Sequence, residues 1–338
     1  MNDILTRLLC DIGFSSPLAD LIKLHGDASA RSYYRLRLKD GQSFIVMKLP
    51  EGAASVSEEI TNFQGKKDEL PFINIARFLA SCGLPVPTIH VYSPADHIML
   101  LEDLGEVMMI KALEQGPSAQ RDWYLKAVDL LVELQQKTTG QSPDQCIALQ
   151  RSFDATLLNW EFDHFLEYGL QKRGIDVSAV DRGIFDRETR AITEKIAALP
   201  FGFTHRDFQS KNLMARDGKL VLIDFQDALL GPAVYDLVAL TRDSYVVLSK
   251  ELLDECLARF AENTGRTIND VVEQHCLVTV QRKLKDSGRF VFIDQVKKNP
   301  KFLPFIPASL GYVKDALAKL PEHRALYDML LKYLPEWR

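Results

Sequence analysis

Apolar and polar positions alternate over much of the first hundred residues and fall at helical spacing over most of the remainder. Ser32–Leu38 (SYYRLRL) alternates in its second half, and Asp40-Gly41 is a hairpin-turn pair. Ser43–Leu49 (SFIVMKL) is a β-branched apolar run that stops at Pro50. Glu51 to Lys67, rich in Gly, Ala, Ser and Glu, reads as a mobile connection. Phe72, Ile75, Ala76 and Leu79 then recur at helical spacing, and Gly83 closes that helix. Pro85-Val86-Pro87 stiffens the chain into a strand at Ile89–Tyr92, and Asp96-His97 turns it into Ile98–Leu101.

After Gly105 the pattern changes to long amphipathic helices. Trp123, Ala127, Leu130, Leu131 and Leu134 form one apolar stripe. Leu157, Leu158, Trp160, Glu161, Phe165 and Leu166 mark another helix, with Asp154 as its N-cap. Short strands and turns interrupt at Phe201–Phe225; helix resumes over Ser249–Gly265, Asn269–Ser287 and Ser309–Leu320. The outline is an α+β, bilobal chain: a small antiparallel β-rich N-lobe over 1–104, a hinge at Glu102–Gly105, and a larger, mostly helical C-lobe over 105–338.

Composition narrows the classes. The chain has 338 residues, 46% hydrophobic and 26% charged, enough for a full core without staples. Its 41 Lys+Arg against 46 Asp+Glu leave a net charge of −5, a poor balance for sequence-independent nucleic-acid binding. No apolar run reaches the ~18–20 residues that cross a bilayer. Cys10, Cys82, Cys146, Cys256 and Cys276 are scattered, with no C-x-x-C pair, as expected of reduced thiols in a cytoplasmic protein.

P-loop, dinucleotide-fingerprint, zincin and nucleophile-elbow motifs are absent. One dense stretch remains: Thr204-His205-Arg206-Asp207-Phe208-Gln209-Ser210-Lys211-Asn212, followed twelve residues after Asn212 by Asp224 in Leu220-Val221-Leu222-Ile223-Asp224-Phe225. The set suits phosphoryl transfer, which needs positioning, charge neutralisation and a group to orient a hydroxyl. Asp224, at a strand end, offers a hard anionic oxygen to Mg²⁺, and Asn212 a neutral one; Mg²⁺ favours few protein oxygens plus phosphates and water. Asp207 can accept the proton of an acceptor hydroxyl.

His205-Arg206-Asp207-x-x-x-x-Asn212 with Ile223-Asp224-Phe225 resembles the catalytic and metal loops of the protein-kinase-like fold, and most closely those of the aminoglycoside phosphotransferase (APH) family of small-molecule kinases. Leu100-Leu101-Glu102-Asp103-Leu104-Gly105, Gly231-Pro232-x-x-Tyr235-Asp236-Leu237 and Gln281-Arg282-x-Leu284-Lys285-x-x-Gly288-x-Phe290 resemble its branch of anomeric N-acetylmuramate/N-acetylglucosamine kinases. The resemblance implies ATP and Mg²⁺ as cofactors, a small-molecule acceptor such as an amino sugar phosphorylated at its anomeric hydroxyl, and no nucleic-acid or membrane partner. It implies that Lys48 holds the ATP phosphates, that Ser29 and nearby backbone N–H groups cover them, and that the backbone of Glu102, Asp103 and Leu104 meets the adenine. Glu69 is taken as the carboxylate paired with Lys48, with Glu59 as the other candidate. Asp236, His205 and Arg206 are expected to hold the catalytic loop, and Asp227 to be a cap or a second metal ligand. Arg282, Lys285 and Arg289 share one helix face, read as a solvated basic face or as a site for an anionic acceptor; Trp123 and Trp160 are read as core or as sugar-stacking rings. An aminoglycoside, another small alcohol or a protein as acceptor, or a nucleotide-binding regulator without turnover, are the alternatives. Gln226 after Asp224-Phe225 and the lack of an Ala-Pro-Glu segment argue against a protein acceptor.

Overall fold

The computed structural model describes residues 1–24, 31–50 and 69–338. Helix α1 (Asn2–Asp11) precedes a five-stranded antiparallel sheet of β1 (Leu18–Leu24), β2 (Ser32–Leu38), β3 (Ser43–Lys48), β4 (Ile89–Ser93) and β5 (Ile98–Glu102), in the order β1-β2-β3-β5-β4. Asp40-Gly41 makes the β2–β3 hairpin, with Gly41 at φ +90° and the Asp40 carboxylate accepting the Gln42 N–H. Helix α2 (Pro71–Ser81) lies between β3 and β4 and ends at Gly83, φ +68°.

The period-2 pattern of the strands divides the sheet into two faces. Leu36, Leu38, Phe44, Val46, Ile98 and Leu100 pack under α1 through Leu5, Leu8 and Leu9. Tyr33, Ile45, Met47, Met99 and Leu101 face the other way, toward α2 and the rest of the chain. That second core runs unbroken into the helical part, so the apolar packing does not break at 102–105, where the sequence predicts a hinge.

The helical part comprises α3 (Met109–Ala112), α4 (Pro117–Thr138), α5 (Ala155–His164), α6 (Ala179–Ala197), α7 (Tyr235–Thr241), α8 (Lys250–Thr264), α9 (Ile268–Lys297), α10 (Ile306–Leu317) and α11 (Arg324–Tyr333). The Asp154 carboxylate caps α5, accepting the Leu157 N–H at 2.8 Å, and α5 continues as a π-helical turn over Phe165–Leu170. Ser249 caps α8, and Gly265, left-handed, ends it. Two small ribbons complete the fold: β6 (Phe201–Thr204) pairs with β9 (Leu229–Pro232), and β7 (Leu213–Arg216) with β8 (Lys219–Leu222). The C-terminal segment folds back onto the helical core: Trp337 is buried and its indole N–H donates to the Leu310 carbonyl at 2.9 Å. Among the described residues no helix is long and apolar enough to cross a membrane.

Candidate active site

The loop after β6 is held by three helices. Arg206 has φ +80°, a left-handed conformation costly for a residue with a Cβ, and the peptides on both sides of it are pinned. Asp236 on α7 accepts the His205 and Arg206 N–H groups at 2.6 and 2.9 Å. Arg282 on α9 donates to the Arg206 carbonyl at 2.8 Å. Glu161 on α5, fully buried, faces the Arg206 guanidinium at 3.6 Å. Asp243 accepts the Ser210 N–H at 3.0 Å, fixing the far end of the loop. The roles expected for Asp236 and Arg206 in holding this loop match these contacts.

The same loop draws Asp207, Asn212 and Asp224 together. The Asn212 amide donates its Nδ2–H to the Asp207 carbonyl at 2.9 Å. The Ile223 N–H donates to the Asn212 carbonyl at 3.1 Å, and His205 Nε2–H to the Ile223 carbonyl at 2.9 Å. Asp224 follows with φ +63°, a second left-handed residue. Gln226 donates to both Asp224 and Asp227, at 3.0 and 3.1 Å, and so ties these carboxylates to one another.

The electrostatics of the two aspartates diverge. Asp207 leaves 43% of its side-chain surface exposed, with Arg282 Nη2 3.4 Å from its Oδ1. Burial of its surroundings opposes its charge, but Arg282, Lys285 and Arg206 outweigh that and hold its pKa below the ordinary carboxylate value. Asp224 goes the other way: desolvation, then repulsion from Asp207, raises its pKa. A divalent cation would relieve this uncompensated charge. With its amide nitrogen spent on Asp207, Asn212 offers an oxygen to such an ion, so the donor set suits Mg²⁺. Among the described residues no cluster of three or more His, Cys, Asp or Glu forms an all-protein metal cage.

The basic face of α9 is not solvated. Arg282 and Lys285 are buried, and Arg289 is half-buried. Asp286, beside them, takes Lys283 at 2.8 Å, Lys285 at 3.6 Å and Arg282 at 4.0 Å, while Lys285 also approaches Glu161 at 3.9 Å. Buried charges persist only when paired, and here α9 carries both signs. Trp160 and Trp123 are half-buried; Trp160 stacks on His164 at 5.3 Å, and Lys126 lies over Trp123.

The residues expected to contact the nucleotide fare differently. Ser29 and Glu59 lie outside the described residues. Lys48 does not face Asp224. It pairs in register with Ser32 and Ile98, and so shares the α1 side of the sheet with Val46 and Ile98. The Asp224 loop lies on the opposite side, where Phe225 stacks on Phe72 of α2 at 4.9 Å. Because strand side chains alternate faces, a one-residue offset decides the matter. Glu69 is not the partner of Lys48 either: its carboxylate is taken by Arg77 and by Asn74, both on α2. At the hinge, the side chains are structural. Glu102 accepts the Thr88 N–H and pairs with Arg216 of β7; burial opposes its charge, but these partners lower its pKa overall. Asp103 receives Arg35 Nε at 2.8 Å and the Gly105 N–H at 2.9 Å. Leu104 is half-buried, and the backbone on either side of it is engaged: the Glu102 N–H donates to the Thr88 carbonyl and the Gly105 carbonyl accepts from Arg35.

Sequence reasoning missed the supporting roles of Glu161, Asp243 and Arg35. Glu161 had a signal, as a lone carboxylate in the otherwise apolar stripe of α5. Arg35 had a weaker one, on an alternating strand with Tyr33. Asp243 had none.

Comparison with known proteins gives the family. The profile of the phosphotransferase enzyme family (APH) matches residues 20–270. The N-acetylmuramate/N-acetylglucosamine kinase of Neisseria meningitidis serogroup B is 27% identical over 324 residues, 93% of this chain and 90% of that one. Among solved structures, choline kinase LicA from Streptococcus pneumoniae superposes with a TM-score of 0.61 at 14% identity, covering 94% of this chain and 98% of that one. The ADP-bound aminoglycoside phosphotransferase APH(2'')-Ib superposes with a TM-score of 0.58 at 14% identity, over 92% and 97%. A five-stranded sheet followed by a helical body, with a family match across most of its length, makes this chain a member of the APH phosphotransferase family and a small-molecule kinase.

Proposed function

We propose that the chain transfers the γ-phosphoryl group of ATP to the anomeric hydroxyl of an amino sugar. The nucleotide lies between the sheet of residues 1–104 and the loops of residues 105–338, with its adenine against the hinge backbone at 102–104. Asp207 accepts the proton of the acceptor hydroxyl as that oxygen attacks phosphorus and the bond to the β-phosphate oxygen breaks. Asn212 and Asp224 would hold Mg²⁺, which supplies charge neutralisation at the phosphates.

The observation that carries the reading is the convergence of Asp207, Asn212 and Asp224 through the Asn212–Asp207 and Ile223–Asn212 hydrogen bonds. The amino sugar rests on two supports. One is the similarity over 93% of the chain to kinases named for N-acetylmuramate and N-acetylglucosamine. The other is charge: the cations beside Asp207 are Arg282, Lys285 and Arg206, Glu161 and Asp286 are engaged with cations, and the one carboxylate left facing Asp207, Asp224, is assigned to the metal. Such surroundings disfavour a cationic acceptor such as an aminoglycoside or choline and suit a neutral or anionic sugar.

Coupled ADP release with Mg·ATP, against N-acetylmuramate, N-acetylglucosamine, other hexoses, choline and aminoglycosides, tests the reading, with NMR locating the phosphate. Turnover on an amino sugar at C1 is expected. Turnover only on a cationic acceptor would overturn the sugar assignment. Asp207→Asn should abolish turnover while leaving Mg·ATP binding intact, and normal turnover by that variant would refute the base assignment.

A further inference from the structure

The cleft face of the sheet carries arginines at alternate positions and no lysine. Along β2 and the residue before it, Arg31, Tyr33, Arg35 and Arg37 project to one side, by the same alternation that sends Tyr34, Leu36 and Leu38 toward α1. Arg35 anchors one end of this row at the hinge, holding Asp103, Glu106 and the Gly105 carbonyl. Arg31 stands at the other end, four residues and about 13 Å along the strand. Tyr33 is opposite Met47 in register, and both belong to the core that includes Phe72, the residue stacked on Phe225. Arg31 therefore lies on the side of the sheet that carries the Asp224 loop. Its positive charge favours the ionised forms of Tyr33 beside it and of Asp224 across the cleft.

We propose that Arg31, on the cleft face, and not Lys48, on the opposite face, is the cation of the β-rich half that binds the phosphates of the nucleotide. The inference rests on the kinase reading above. The row of residues then has a physical order: hinge at Arg35, phosphates at Arg31, metal loop at Asp224. A guanidinium suits the task, since its planar fork binds phosphate oxygens in pairs. It also accounts for the orientation of Glu69. A lysine needs a carboxylate from a neighbouring helix to fix its flexible stem, whereas the planar, pre-organised fork of a guanidinium depends on one less. Glu69 is accordingly given over to Arg77 and Asn74.

The test compares Arg31→Met, Arg31→Lys and Lys48→Met by calorimetric titration with Mg·ATP and, separately, with adenosine, and by the KM for ATP. Losing a charge-assisted phosphate contact should weaken Mg·ATP by about 10–100-fold in Arg31→Met. Arg31→Lys should fall between that variant and the parent, Lys48→Met should show the smaller loss, and adenosine binding by Arg31→Met should hold. Equal losses of ATP and adenosine would mean that Arg31 only props Tyr33, and would overturn the inference. So would unchanged ATP binding in Arg31→Met, or a larger loss in Lys48→Met. Failure of the parent protein to bind Mg·ATP at all would instead overturn the kinase reading, which Asp207→Asn tests independently.

Discussion

Gly288 of α9 packs directly against the backbone at the end of α5, and adding one methyl group there has a calculable cost. A Cβ at Gly288 would lie 2.8 Å from the Phe165 Cα, 3.0 Å from the His164 carbonyl oxygen and 3.2 Å from the Phe165 nitrogen. All three are backbone atoms of the turn where α5 becomes π-helical, so no side chain can swing away. Reaching ordinary contact at 3.4 Å requires the helices to part by about 0.6 Å. Overpacking of this kind costs ~1–3 kcal/mol. Replacing Gly in a helix interior by Ala returns roughly 0.5–1 kcal/mol, and Gly311 on α10, with nothing within 4 Å of its would-be Cβ, isolates that gain. The expected result in urea unfolding is that Gly311→Ala is slightly stabilised and that Gly288→Ala lies ~1–3 kcal/mol below it. Activity of Gly288→Ala should fall as well, because α9 carries Arg282, which holds the Arg206 carbonyl. Equal stabilities for the two variants would refute the claim that backbone contact sets the α5–α9 spacing.

Other expectations follow from buried charge. Burial pushes the Asp236 pKa from 3.8 up to about 6, against the pull of His205 and the two N–H groups it caps. Between those values the native state keeps a proton that the unfolded chain has lost. This group's contribution to stability is therefore complete below about pH 4 and falls by about 3 kcal/mol as pH rises to about 6. Unfolding curves of the parent and Asp236→Asn across that window should show this slope in the parent only; parallel curves would contradict it. Arg35→Met should destabilise the protein toward the lower end of ~3–5 kcal/mol, since Asp103 loses its cation but keeps the Gly105 N–H; an unchanged denaturation midpoint would argue against the hinge anchor. Thiol titration should find Cys10 reacting quickly, Cys82 more slowly, and Cys146, Cys256 and Cys276 only on unfolding; fast reaction of three or more thiols in the native protein would contradict the packing.

Much of this molecule was legible in one dimension because the signals are local. Asp40-Gly41, Asp154, Ser249 and Gly265 act within a few residues, through a turn or a cap, and each does in the fold what its neighbours require. The spacing of Asp207, Asn212 and Asp224 is local too: one loop and one short ribbon connect them, so their chemistry is written in a single stretch. The membership of the chain in its enzyme family follows from that stretch and its surroundings.

The rest depended on what lies across from a residue rather than beside it. β1 buries no residue fully, and its irregular pattern leaves no alternation to read, while α1 and α6 were not anticipated at all. Charges on α9 fall on several faces, so periodicity cannot tell a solvated side from a buried one; only the carboxylates of Glu161, Asp286 and Asp207, brought from three segments, make their burial affordable. The sharpest case is Lys48. Its position at the end of an apolar strand says that a cation is present, but which face it occupies is set by pairing with Ser32 and Ile98 and by the side on which α1 docks. A strand has two faces one residue apart, and only tertiary packing decides which of them lines the cleft.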